Sequence, residues 1–205
     1  MLSVNPFAIL AETVSPIFMQ SFVVLMIVLI VVGTLVDIIH KKNVKYFFEN
    51  AKKAKLSATK TLSTGERISV ISKTIVSDIA TTSELGAGKR RVAHLLGMYG
   101  TILFWAGSAI MIFCYSSPSS DTPSFWPIIW HVGAIMTVVG GGWFWFFLRV
   151  DVYSEAQPLY RIIQADLFVL ALIATSLFGL IWSYLQYLNL MIVNKTKLNQ
   201  LGMMQ

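Results

Sequence analysis

The chain is poor in the residues that soluble enzymes rely on. Only 13% of its 205 residues are charged, against roughly 25% in an ordinary soluble domain. Its single cysteine, Cys114, excludes an internal disulfide and any iron–sulfur cluster ligated by this chain alone. Histidine occurs three times, at positions 40, 94 and 131. No Lys or Arg precedes the first apolar run, and that run is too long for the h-region of a cleavable signal, so no signal peptide is expected. The sequence carries no P-loop, no HExxH zinc pair and no legible catalytic triad. It also lacks an internal repeat and a pair of inverted, broken apolar segments, which argues against a secondary transporter.

What remains is apolar. Hydrophobic residues make up 56% of the chain, and the mean hydropathy is +0.68. Four runs are long enough to cross a hydrocarbon core of ~30 Å at ~1.5 Å per residue: residues 17–39, 92–115, 126–148 and 162–187. The first is β-branched (FVVLMIVLIVV) and would suggest a strand in water, but in lipid only a helix satisfies the backbone of a single crossing. The expected fold is an all-α integral membrane protein. It is a four-transmembrane-helix bundle with both termini outside and a long basic cytoplasmic loop carrying an amphipathic helix.

Charge sets that topology. Residues 41–91 hold twelve of the sixteen Lys and Arg and four of the ten Asp and Glu, a surplus of eight positive charges. A nucleic-acid partner is the other use of such a segment, but beside apolar spans it reads as a cytoplasmic loop facing anionic lipid. Arg149 and Arg161 fall on the same side, and only Lys195 and Lys197 fall outside. Residues 1–16 form an N-terminal segment, with Pro16 placed to start the first span. In the loop, KNVKYFFENAKKAK interleaves Val44, Phe47 and Phe48 with lysines, as in a helix lying on a membrane surface. Ser63-x-x-Glu66 is a capping-box pattern opening an amphipathic helix over residues 65–85, which Gly86 and Gly88 end. Gly140, Gly141 and Gly142 allow a very close backbone approach or a bend. Residues 188–205 form a polar outer tail.

The candidate functional residues are ionisable groups near the ends of the spans, where they are costly. Imidazoles on separate transmembrane helices are a usual way to hold a b-type haem. His40 ends the first span and His94 lies about one turn into the second, at a similar depth, so they form the candidate axial pair. His131 lies near the opposite face, on the order of 20 Å away along the membrane normal. It would need another ligand, for which Met111 is the candidate at that depth. The plainer readings stand beside these: His40 reaching for headgroups, His131 packed between tryptophans, and Met111 filling space. Asp37 shares a face with His40. Asp166, one turn into the last span, either relays protons to a quinone or pairs with His94, Arg90 or Arg91. Lys89, Arg90 and Arg91 mark the cytoplasmic side and offer a docking patch for an acidic partner.

Three stretches, RRVAHLLGMYGTILFWAG, WHVGAIMTVVGGGWFWFFLR and QADLFVLALIATSLFGLIWSYLQYL, follow a basic amphipathic segment. Across residues 65–187 this layout resembles the membrane subunits of the nitrate-reductase gamma and heterodisulfide-reductase-linked group. It looks most like the haem-binding membrane component of the quinone-interacting membrane oxidoreductase and, in its small size, the membrane subunit encoded with adenylylsulfate (APS) reductase. The resemblance implies a cytoplasmic iron–sulfur flavoenzyme docked on the inner face, exchanging electrons with quinone. It aligns His94 with a haem histidine, His131 with a histidine opening the next helix, and Asp166 with an acidic residue opening the one after. The chain departs from the group, which usually has five helices and four haem histidines. Two bis-histidine haems are therefore excluded within one chain, which leaves one haem b or none. The expected function is a membrane anchor and electron conduit in the inner cell membrane, working in sulfur metabolism. The alternatives are a non-redox anchor or assembly protein and, third, a small transporter component.

Overall fold

The computed structural model describes residues 1–40, 43–58, 63–85, 88–117, 119–149, 153–158, 160–164 and 166–202. The expected roles of Lys41, Lys42, Gly86 and Asp151 lie outside the described residues. The described chain is helical throughout its regular structure, and four of its helices are long and apolar enough to cross a membrane. The protein is a multi-pass membrane protein. It divides into two units, one of residues 17–80 and one of residues 1–16 with 81–205.

The first unit holds most of helix α2 (Pro16–His40), together with α3 (Asn43–Leu56) and α4 (Thr64–Thr74). Pro16 opens α2, where its missing N–H costs nothing. The apolar side chains of α2 are almost all exposed, as expected of a helix whose surroundings are hydrocarbon. Ser63 caps α4 in a complete capping box: the Glu66 N–H donates to Ser63 Oγ at 3.3 Å and the Ser63 N–H donates to the Glu66 carboxylate at 2.8 Å. Residues 65–85, expected as one helix, divide. The α-helix ends at Thr74 and widens into a π-helical turn, Ile75–Ala80. A 3₁₀ turn, Ser83–Leu85, follows only after Thr82 takes a φ of 48°. The run from Thr74 to Val76 is β-branched, and such side chains crowd the preceding turn of a regular helix.

The second unit is built on α5 (Lys89–Cys114), α6 (Phe125–Trp143, continued as a π turn to Leu148) and α7 (Asp166–Gly202), with a short helix α1 (Pro6–Leu10) against them. Helix α6 is central, packed on α5 along one side and on α7 along the other. Glycine makes the α5–α6 contact possible. A Cβ on Gly133 would lie 2.5 Å from the Phe104 nitrogen, and one on Gly140 would lie 2.5 Å from the Gly97 nitrogen. Such close backbone approach is the usual device of helix packing in lipid, where apolar surface alone gives no drive to associate. Helix α7 approaches at Gly141, which faces Ile173, and at Gly179, which faces the Trp130 ring.

Around Trp130 lies the core: Phe104, Met111 and Ala134, flanked by Phe7, Trp126 and Leu180. The Trp130 indole N–H donates to Ser108 Oγ at 2.8 Å, and Ser108 donates to the Phe104 carbonyl, so the ring's polar atom is satisfied inside. Asn5 caps α1 through its Oδ1, and its amide donates to the Tyr115 carbonyl and to Thr122 Oγ1, both at 3.0 Å. Gln186 donates to the Pro6 carbonyl. The N-terminal segment and the middle of α7 therefore meet the turn between α5 and α6 at one end of the unit, the Trp130 end. Helix α7 runs on to Gly202, past the boundary expected at Tyr187. Polarity suggested that end, but no glycine or proline stops the backbone between Tyr187 and Gly202, so hydrogen bonding continues.

Candidate functional site

At the Arg149 end of the second unit, a cation and an acid come together inside the protein. Arg149 follows the π turn of α6 and Asp166 opens α7; both side chains are buried. Arg149 Nη1 donates to Asp166 Oδ2 at 2.7 Å and to the Arg161 carbonyl at 2.8 Å. The guanidinium lies 4.0 Å from the centre of the Trp145 ring, in cation–π contact. The Ile163 N–H donates to the same Asp166 oxygen at 2.9 Å, so one carboxylate ties down both the arginine and the loop before α7. The expected partners of Asp166 were His94, Arg90 or Arg91; the partner is Arg149. The π turn decides this, because its extra residue returns Arg149 over Trp145 and toward the start of α7.

At the same end, the cationic triplet splits. Lys89 and Arg90 are exposed, whereas Arg91 is half-buried and donates from Nε to the Thr81 carbonyl at 2.7 Å. Gly88 provides no side-chain cap. Cations in the first turn oppose the helix dipole, so Lys89 and Arg90 are placed against the preference of their own helix.

The histidines are separated. Ala93 and Gly97 face α6, and His94 beside them is exposed. The α5–α6 register sets Ala93 and Gly97 against Gly140, and Gly107 against Trp130. His94 and His131 therefore differ in level by about ten residues, or ~15 Å along the bundle. His131 is fully buried in α6. Its Nδ1 lies 2.7 Å from the Pro127 carbonyl, which can only accept, so Nδ1 carries a proton. In the neutral ring Nε2 is then the acceptor, and Ser183 of α7 donates to it at 2.8 Å. Both ring nitrogens are thus engaged, and an iron ligand at His131 would have to displace Ser183. Met111, its expected co-ligand, is fully buried in the Trp130 cluster. His40 and Asp37 lie in the other unit and are both exposed. Among the described residues, no three metal-ligating side chains converge.

Sequence reasoning missed Ser183, Arg149 as the partner of Asp166, and the glycines at 100 and 133. The signal for the glycines was present: Gly133 and Gly140 are seven apart, two helical turns on one face. Ser183 stands in an ordinary apolar run, and nothing in its neighbours marks it. The His131–Ser183 bond joins α6 to α7, and removing one partner leaves a buried polar atom unsatisfied. Ser183→Ala is expected to cost ~1–3 kcal/mol. His131→Phe combined with Ser183→Ala should cost less than the sum of the two single changes, as read by thermal unfolding in detergent.

No protein-family model, curated protein or solved structure matches this chain.

Proposed function

We propose that the protein is the membrane-anchoring subunit of an oxidoreductase complex. It holds a soluble iron–sulfur flavoenzyme, of the APS reductase type, against the membrane and exchanges electrons with quinone. The observation that carries this reading is the exposed pair Lys89 and Arg90. These cations are unfavourably placed for α5 itself and free of the contact that pins Arg91. An acidic protein surface gives them a use. Asp37 and Asp166 are the carboxylates proposed to serve quinone protons, and Asp166 in that role shares its Oδ2 with Arg149.

The haem part of the proposal narrows. His94 and His131 do not fit one haem, because they differ in level by ~15 Å and His131 is bonded at both nitrogens. The ligand proposed from this unit is His94, with His40 as its axial partner. A bound haem would supply one-electron storage near the Lys89 end. A second reading, an anchor or assembly protein without cofactor, is favoured by the engagement of His131 in a purely structural pair.

Two measurements test this. Lys89→Gln with Arg90→Gln is expected to weaken membrane association of the soluble enzyme by about tenfold, and salt is expected to do the same. A reduced-minus-oxidised spectrum of the purified protein is expected to show a b-type α-band that His94→Ala removes. Absence of the band in folded protein, with docking retained, leaves the second reading. Undiminished association after the double substitution overturns the docking site.

A further inference from the structure

Helix α3 begins three residues after the end of α2, a span of at most ~11 Å even fully extended. It therefore starts beside the membrane boundary. Val44, Phe47, Phe48, Ala51 and Ala54 fall within an arc of about 120° on this helix. Lys45, Glu49, Lys52 and Lys53 take the other side, and Lys55 ends the last turn. Lys45 pairs with Glu49 at 3.8 Å, and Glu49 is the helix's lone acid among four lysines. Phe47 and Phe48 stack edge to face with centroids 5.6 Å apart, and both are well exposed.

We propose that α3 is an in-plane helix that binds anionic lipid, with Phe47, Phe48 and Ala51 in the headgroup–acyl boundary and Lys45, Lys52 and Lys53 on phosphate groups. Three features favour lipid over a protein as the occupant. The tether to α2 is short. The stripe tapers from phenylalanine near the tether to alanine further on, which suits a shallow wedge rather than a knob for a pocket. The charge is nearly all of one sign, complementary to an anionic leaflet. Helix α4 is an internal comparison: Ile68 and Ile71 also form an exposed stripe, but Glu66 offsets one of its two cations, Arg67 and Lys73. The basic segment thus has two jobs, with α3 on lipid and Lys89 with Arg90 left for the soluble partner. This inference does not depend on the redox reading.

The test uses the full chain in vesicles, with Cys114→Ser and a fluorophore on Ala51→Cys or Lys53→Cys, positions on opposite sides of α3. In vesicles of phosphatidylcholine with phosphatidylglycerol, a nitroxide on the lipid chain is expected to quench position 51 several-fold more than position 53. Aqueous acrylamide is expected to do the reverse. The contrast should fall sharply in phosphatidylcholine alone, and likewise when Lys45, Lys52 and Lys53 are changed to glutamine with the probe at 51. Ala54→Cys, on the same stripe, replaces Ala51→Cys should the latter fail to fold. Equal access of acrylamide to both faces overturns the proposal. So does a contrast indifferent to phosphatidylglycerol, or protection that appears only when a soluble protein is added.

Discussion

Gly133→Ala and Gly140→Ala are expected to destabilise the protein strongly, while Gly142→Ala leaves it unchanged or slightly more stable. The three sites lie on one helix and the substitution is the same. The difference is what the new methyl meets. At Gly133 it would lie 2.5 Å from the Phe104 nitrogen and 2.8 Å from the Gly100 carbonyl. At Gly140 it would lie 2.5 Å from the Gly97 nitrogen and 2.7 Å from the Ala93 carbonyl. Backbone atoms cannot swing aside, so α5 and α6 must separate along their whole contact. Overpacking of this kind costs ~1–3 kcal/mol and sometimes more, and these sites belong at the upper end. At Gly142 nothing lies within 4 Å, and alanine is the better helix former by about 1 kcal/mol. Thermal unfolding in detergent, followed by tryptophan fluorescence, measures all three. Equal melting temperatures for Gly140→Ala and Gly142→Ala would show that the α5–α6 approach is looser than described.

Asp166→Ala is expected to cost ~3–5 kcal/mol, because it leaves the buried Arg149 guanidinium without its counter-charge. The loss extends to the Ile163 N–H, whose acceptor is the same oxygen. Asp166→Asn keeps an acceptor there and should fall between wild type and alanine. The informative variant is Arg149→Met combined with Asp166→Leu. A buried pair replaced by apolar residues is often tolerated, so the double substitution should be more stable than either single one. Folded yield in membranes and the detergent melting temperature, read as a double-mutant cycle, decide it. Independent costs that simply add would mean the two residues do not act as a pair.

Much of the fold was legible because the bilayer simplifies it. Length and hydropathy alone define a span, so the four apolar helices and the capping box at Ser63 could be read directly. Helix ends were harder. The break after Thr74 and the run of α7 to Gly202 depend on backbone hydrogen bonding, which hydropathy does not report. The ionisable residues near the span ends were correctly singled out as costly, but their partners were not. Asp166 was matched to cations near in level, and Arg149 was passed over as a loop residue. His131 drew attention as a candidate ligand, yet its place is a buried bond to Ser183, fifty-two residues away.

The sequence by itself determined that this is a multi-pass helical membrane protein with its positive charge concentrated between the first two spans. Both are sums over many residues, and no single contact can alter them. Tertiary structure alone decided which glycines face a neighbouring backbone, that Arg91 is pinned while Lys89 and Arg90 are not, and that Asp166 and His131 are each bonded to one buried partner. Those outcomes depend on helix rotation and register, and a rotation of ~100° per residue moves a side chain from a packed face to an open one. Composition carries no information about that angle.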